Sequence, residues 1–200
     1  MAILQHLPAL QVTVPLLAAP LCALMFRPRI AWCFAILTTW ATFAISVAIM
    51  DQVLEHGVLV YDMGGWAPPL GITYVIDPLN ALLLLLVSGM AAIIMPAARL
   101  GIGVEVVPRA QRLFFTVALL ALTGMLGIVI TGDAFNLYVF LEISSLASYA
   151  LVAMGTDRRA AKAAFNYLIQ GTIGATFILI GIGLLYMMTG TLNMADLAER

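Results

Sequence analysis

Six long apolar runs constrain the fold of this 200-residue chain more than any other feature. A helix that crosses a bilayer needs about 20 mostly apolar residues, and each run approaches or exceeds that length. The runs are continuous rather than alternating, which favours helices over the strands of a membrane barrel. The sequence therefore predicts an all-α membrane protein, with one transmembrane domain over residues 1–200 that forms a bundle of about six transmembrane helices. The predicted spans are 7–26, 30–50, 74–98, 113–131, 134–154 and 163–189, with an outer loop at 51–73.

Composition excludes several classes of function. Only 10% of the residues are charged and the mean hydropathy is +1.09, whereas about a quarter of the residues are charged in a typical soluble domain. The formal net charge of −1 provides no basic field for nucleic acid. The sequence contains no phosphate-binding loop, no nucleophile elbow and no His/Cys cluster with metal-ligand spacing. We therefore predict no enzymatic site, no cofactor and no bound metal.

The basic residues predict an orientation. Eight of the nine Lys and Arg side chains lie in three alternate connections, around residues 27–29, 99–112 and 157–162. The other connections carry acidic side chains and no Lys or Arg. Cytoplasmic loops are enriched in Lys and Arg. We therefore expect both termini of this stretch to lie outside the cytoplasm.

A carboxylate interrupts the fifth apolar run. Glu142 lies about 12 Å into that span, where a charge costs at least about 2.5–3.5 kcal/mol. Helical spacing places Tyr138, Ser145 and Tyr149 on the same side of the helix, with Ser144 and Ser148 on the flanks. This polar stripe would turn the carboxylate towards the bundle interior or an internal file of water. The interpretation we favour is a protonatable relay, and the alternative is a structural glutamate held by a neighbouring helix.

A second polar stripe begins the sixth span. Lys162, Asn166 and Gln170 follow one another at intervals of four residues and reach roughly 12 Å inwards from the cytoplasmic rim. They form either a hydrated cytoplasmic approach or a snorkelling lysine followed by two inter-helix hydrogen bonds. The sequence leaves both interpretations open.

Other polar and small residues indicate structure. Asp77 and Asn80 are predicted to cap the third span and to hold the Gly/Pro-rich outer loop, with a role in an outer proton exit as the alternative. A short strand is expected near residues 57–61. The glycines of spans four and six are expected to let helices pack closely rather than to bind a ligand.

Three segments in order, "GGWAPPLGITYVIDPLNALLLLL", "TGDAFNLYVFLEISSLASYALVAMG" and "AAFNYLIQGTIGATFILIGIGLLYMMTGTLNMADLA", carry a family resemblance. They resemble the proton-conducting antiporter family, and in particular the D-type subunits of the Mrp multisubunit cation/proton antiporters. That family is related to the antiporter-like membrane subunits of respiratory complex I and of membrane-bound hydrogenases. The resemblance covers the chain from about residue 57 onwards, and the segment of the fifth span is its most specific part.

The resemblance implies roles for particular residues. Glu142 corresponds to a mid-membrane glutamate that transfers protons in the family, where it is usually paired with a lysine on a seventh helix. That lysine is not among these residues, and family members have more than twice as many helices. The resemblance therefore implies a fragment or a split gene product. Asn166 stands where relatives in complex I often have a basic residue, which weakens the prediction of a charged cytoplasmic gate.

The function implied is proton translocation by a multi-pass cell-membrane subunit of a multisubunit monovalent cation/proton antiporter. Its expected partners are other membrane subunits of that complex, protons, sodium or potassium, and the lipid bilayer. One alternative is a pumping subunit of a complex I-like or hydrogenase-like assembly, with the redox chemistry in partner subunits. Another alternative is a truncated subunit with a structural role.

Overall fold

A computed structural model describes residues 5–107 and 110–200 of the chain as a helical bundle with a small sheet at one end, which the charge pattern predicts to be the outer end. The helices and strands follow the order α1 Leu7–Ala23, α2 Pro28–His56, β1 Leu59–Asp62, β2 Thr73–Ile76, α3 Pro78–Glu105, α4 Gln111–Ile130, α5 Ala134–Ala153, α6 Ala160–Thr189 and α7 Met194–Glu199. Five helices, α2 to α6, are long and apolar enough to cross a membrane. The predicted class, an all-α membrane bundle, is confirmed.

Several helices have bounds that differ from those of the predicted spans. Helix α1 has 17 residues and ends at Ala23 rather than at residue 26, because the chain turns there before Pro28 opens α2. Helix α2 continues to His56, six residues into the predicted outer loop. It ends there because Gly57 adopts a φ of +82°, which a helix cannot contain.

The predicted third span also began too early. Residues 73–76 form strand β2, which pairs antiparallel with β1 from Leu59↔Ile76 to Asp62↔Thr73. The sequence Thr-Tyr-Val-Ile suits a strand because β-branched and aromatic side chains pack well on a pleated surface. Helix α3 begins only at Pro78. The strand expected near residues 57–61 is therefore present, at 59–62, and its partner occupies the start of the predicted span.

Helix α4 forms the centre of the bundle. It packs against α1, α2, α3 and α5, and over half of its apolar stretch is buried. One cluster of buried side chains surrounds its outer half and includes Leu126 and Ile130. A second surrounds its inner half and includes Phe115 and Leu119. Helix α6 lies at the edge, packs chiefly against α5, and leaves most of its surface exposed.

The outer ends of the helices are joined by backbone hydrogen bonds and side-chain caps. The Asp77 carboxylate accepts a hydrogen bond from Asn80 N at 2.7 Å, so Asp77 caps α3 as predicted. The Asn80 amide donates to Val129 O at 2.5 Å and to Val75 O at 3.3 Å, which ties α3 to the end of α4 and to β2. Burial raises the pKa of the Tyr74 phenol in the same layer, against a smaller lowering by Asn136. That phenol therefore stays neutral at physiological pH.

Replacing Asn80 with leucine should loosen this outer layer. The change removes both side-chain donors and leaves two backbone carbonyls without them, so we expect a loss of about 1–3 kcal/mol in the free energy of unfolding. Thermal unfolding of the complete protein in detergent measures it. Leu79→Ala is the matched control, because Leu79 is 62% exposed. Equal destabilisation by the two changes would show that the hydrogen bonds of Asn80 do not stabilise this layer.

Candidate functional site

Helix α5 carries Glu142, the acidic residue of the site. Hydrogen bonds among residues at the start of this helix fix the position where it begins. The Asp133 carboxylate accepts a hydrogen bond from Asn136 N at 2.7 Å, and the Asn136 amide donates to Thr131 Oγ1 at 2.9 Å. Gly132 N also donates to Thr73 O at 2.8 Å, which joins this turn to β2. These contacts define where α5 begins, so Glu142 lies about 12 Å along the helix from its outer end.

The two sides of α5 have different surroundings. Phe140 and Ser144 lie against α4 at Gly127 and Gly124, where the helices are close enough that a Cβ on Gly124 would lie 2.5 Å from Ser144 N. Residues two positions apart on a helix point in directions about 160–200° apart. Glu142 therefore faces away from α4, and its side chain is half-buried.

The inner end of the polar stripe is covered by α6. Tyr149 is buried, and its ring meets the Tyr167 ring edge to face with centroids 4.5 Å apart. The Tyr149 hydroxyl occupies the space beside Gly171, where any Cβ would collide with that oxygen. Ser145 and Tyr138 are half-buried further along the stripe. The structure thus places Glu142 on the side of α5 that continues from this α5–α6 contact.

The carboxylate of Glu142 has no fixed partner within residues 5–107 and 110–200. No hydrogen bond or ion pair to Glu142 forms in those ranges. The flanking serines bond to the backbone instead, Ser144 Oγ donating to Leu141 O at 3.0 Å and Ser148 Oγ to Ser144 O at 2.8 Å. The half-buried side chain of Glu142 is therefore open to a basic group supplied by another segment.

The second predicted stripe is not brought to the first. Tyr167 and Gly171 lie on the face of α6 that contacts α5. The predicted stripe lies on a different face of α6, where its three side chains are exposed: Lys162, Asn166 and Gln170. Tyr149 meets Tyr167 and Gly171 of α6, and Glu142 lies about 10 Å further along α5 towards its start, so Gln170 lies nearer the inner rim than Glu142 does. The two stripes therefore do not form one continuous polar path within the described residues.

One buried polar cluster escaped the sequence analysis. Gln11, Ser46 and Ser88 come from α1, α2 and α3, and all three are fully buried. Gln11 Nε2 donates to Ser46 Oγ at 2.6 Å, Ser88 Oγ donates to the same oxygen at 2.8 Å, and Gln11 Oε1 has no partner in the described parts of the chain. A buried acceptor of this kind is ordinarily satisfied by bound water. The sequence contained a hint of this cluster, because each of the three residues is a polar side chain inside a different apolar run.

Comparisons with known proteins identify the fold's relatives. Residues 131–200 match the family described as "NADH:quinone oxidoreductase/Mrp antiporter, TM". The chain is 46% identical over 198 residues to the N-type NADH-quinone oxidoreductase subunit of Desulforudis audaxviator, and 31% identical over 194 residues to the D-type Na(+)/H(+) antiporter subunit of Bacillus subtilis. Over nearly its whole length, the chain is similar to a part of each of these two subunits. The resemblance predicted from the sequence is thereby confirmed.

Solved structures of antiporter-like subunits have the same fold. A chain of the archaeal membrane-bound sulfane sulfur reductase superposes with a TM-score of 0.88 at 33% identity, covering 97% of this chain and 40% of the other. A chain of the Mrp complex from Dietzia superposes with a TM-score of 0.83 at 28% identity, covering 98% and 36% respectively. In the two curated relatives the match covers 96% of this chain and 38–39% of theirs. The chain thus spans about two fifths of the length of these antiporter-family relatives.

Proposed function

We propose that this chain translocates protons as a membrane subunit of a multisubunit monovalent cation/proton antiporter, with Glu142 as its protonatable relay. The observation that carries the proposal is a half-buried carboxylate about 12 Å inside a membrane helix, in a fold shared with Mrp and respiratory membrane complexes. The segment that contains Glu142 also lies within the residues that match the family. The chain would act as a transporter subunit rather than an enzyme.

The supporting side chains have different parts in this proposal. Tyr149 packs against α6 from the same face of α5 that carries Glu142. Tyr138 and Ser145, on that face too, orient the carboxylate or hold water beside it. In this proposal a basic partner approaches Glu142 from the side away from the central helix α4, because no ion pair to Glu142 forms within the described ranges. Other membrane subunits are the remaining partners, and sodium or potassium is the coupled ion.

Location and orientation belong to the same proposal. The chain is a multi-pass helical membrane protein, and we place it in the cell membrane with both ends of this stretch on the outer side. The distribution of charge supports this orientation, since eight of nine Lys and Arg residues lie in alternate connections. In the structure, α1 begins at the same end of the bundle as the outer sheet, with His6 Nδ1 2.9 Å from the Tyr61 hydroxyl.

A second candidate function is a proton-pumping subunit of a redox-driven complex. The relative with 46% identity is a subunit of an NADH-quinone oxidoreductase, against 31% for the Bacillus subtilis antiporter subunit. Glu142 would have the same role in either assembly, and the driving reaction would come from partner subunits. A purely structural role for this chain is the remaining alternative.

Cation-dependent proton transport in inverted vesicles tests the proposal. The vesicles are prepared from cells that express the complete protein with its partner subunits. Proton movement that follows added sodium or potassium, without a redox donor, supports the antiporter. Movement that requires a redox donor supports the second candidate, and a complex that conducts no protons under either condition contradicts both.

The position of Gln170 leads to a graded prediction. Because Gln170 is exposed on α6 and lies nearer the inner rim than Glu142, Gln170→Leu should slow proton transport less than Glu142→Gln does. Rates in the same vesicles provide the comparison, with Ile173→Leu as an apolar control on the exposed surface of α6. Loss of transport as complete as that of the Glu142 variant would instead place Gln170 on an obligatory path.

A further inference from the structure

Three arginines share one cavity at the end of the bundle opposite the outer sheet. The cavity has a volume of about 410 Å³ and lies between the start of α2, the last turns of α3 and the start of α4. Its polar lining comes from Arg27, Arg29, Arg99 and Gln111. No acidic side chain of residues 5–107 and 110–200 is part of that lining, so the cavity is strongly positive.

These positive charges are not neutralised within the described parts of the chain. The one ion pair found there joins His56 to Glu55, far from this cavity, so none of the three guanidinium groups has a carboxylate within 4.0 Å. Helices α2 and α4 also begin at the cavity without a side-chain cap, which leaves partly positive backbone N–H groups there. Arginines and helix starts together favour an anion with several acceptor oxygens.

The geometry of the cavity is partly held in place. The Arg99 guanidinium lies over the Trp32 ring, 4.9 Å from its centroid. Trp32 in turn donates from Nε1 to Met95 O at 3.1 Å, which fixes the indole against α3. Stacking of this kind orients a guanidinium and leaves its N–H groups available to a ligand.

The surroundings of the cavity are apolar. Phe115 and Ile102 form part of its wall. Phe26 and Leu100, in the segments beside it, are 91% and 83% exposed, as expected for side chains immersed in a bilayer. The exposed side chains of Phe26 and Leu100 form an apolar rim beside the cavity. A ligand that binds the arginines and also contacts this rim is an anion attached to an apolar chain.

We propose that this cavity binds the phosphate group of an anionic phospholipid, with Arg27, Arg29 and Arg99 as its ligands. Basic pockets between membrane helices are suited to such headgroups, because the bilayer supplies the anion at the right depth. The phosphodiester would accept hydrogen bonds from the guanidinium groups, and the acyl chains would follow the apolar rim. This inference is independent of the route of proton transfer.

Lipid retention by the complete complex tests the proposal. The complex is purified in neutral detergent, incubated with phosphatidylglycerol, and bound lipids are counted by native mass spectrometry. We expect the double variant Arg27→Gln/Arg99→Gln to retain phosphatidylglycerol about thirtyfold more weakly. The double variant Arg158→Gln/Arg159→Gln removes two exposed arginines that do not line the cavity and should retain the lipid as wild type does.

Further experiments distinguish a lipid headgroup from free inorganic phosphate and check that the variant complexes still assemble. Phosphatidylcholine with the same acyl chains should be retained less than phosphatidylglycerol, and inorganic phosphate should not displace the lipid. Arg99→Lys keeps the charge and should bind more lipid than Arg99→Gln, with all partner subunits present in both. Displacement by inorganic phosphate, equal loss in the two double variants, unchanged retention, or loss of a partner subunit in place of lipid would each overturn the proposal.

Discussion

Replacing Glu142 with glutamine should abolish cation-dependent proton transport while leaving the complex assembled. Glutamine has nearly the same shape and can still form hydrogen bonds, but it cannot take up and release a proton. Transfer of a proton by a positioned side chain contributes about two to four orders of magnitude to a rate, so we expect at least a hundredfold loss. The initial rate of pH change in inverted vesicles after addition of sodium or potassium measures it.

Controls on α5 separate proton transfer from packing. Ser144→Ala removes a hydroxyl that bonds to Leu141 O on the α4 side of the helix, and it should leave transport largely intact. Glu142→Asp keeps the acid one methylene shorter and should retain part of the activity. Assembly is checked by the yield of the intact complex. Transport at the wild-type rate in an assembled Glu142→Gln complex would make Glu142 a structural polar contact.

The sequence predicted the fifth helix well, because the bounds of that helix depend on local features. An apolar run of helical length ends at the Thr-Gly-Asp turn, and Asp133 caps the helix that follows. The orientation of Glu142 was less predictable. Spacing alone placed Tyr138, Ser145 and Tyr149 beside it, but the side of α5 that faces α4 is decided by close contact at Gly124 and Gly127.

Other features of the structure depend on contacts between residues that are distant in the chain. Residues 74–76 are apolar enough to continue a membrane span, yet they pair with β1 across the Gly/Pro-rich loop. The stripe of Lys162, Asn166 and Gln170 has helical spacing, but its relation to Glu142 depends on the α5–α6 register, which Tyr149 and Gly171 determine. The cluster of Gln11, Ser46 and Ser88 joins three helices and has no local pattern.

Replacing Gly124 with alanine should disrupt the contact that positions the acidic helix. A Cβ at this position would lie 2.5 Å from Ser144 N and 2.7 Å from Phe140 O, and backbone atoms cannot move aside as a flexible side chain could. We expect a loss of about 1–3 kcal/mol in the free energy of unfolding, even though alanine favours a helix by about 1 kcal/mol. Thermal unfolding of the complete complex in detergent measures this change.

Gly174→Ala is the matched control for that prediction. Gly174 also lies inside a membrane helix, but no atom of another described helix lies within 4 Å of the position its Cβ would take, so the same substitution should be neutral or stabilising. If the two variants unfold at the same temperature, α4 and α5 do not approach as closely as the structure places them. If Gly124→Ala alone is destabilised and also transports protons more slowly, Glu142 depends on the α4–α5 contact for its position. Such a result would connect a glycine with no chemistry of its own to the proton path, because moving α5 moves the carboxylate.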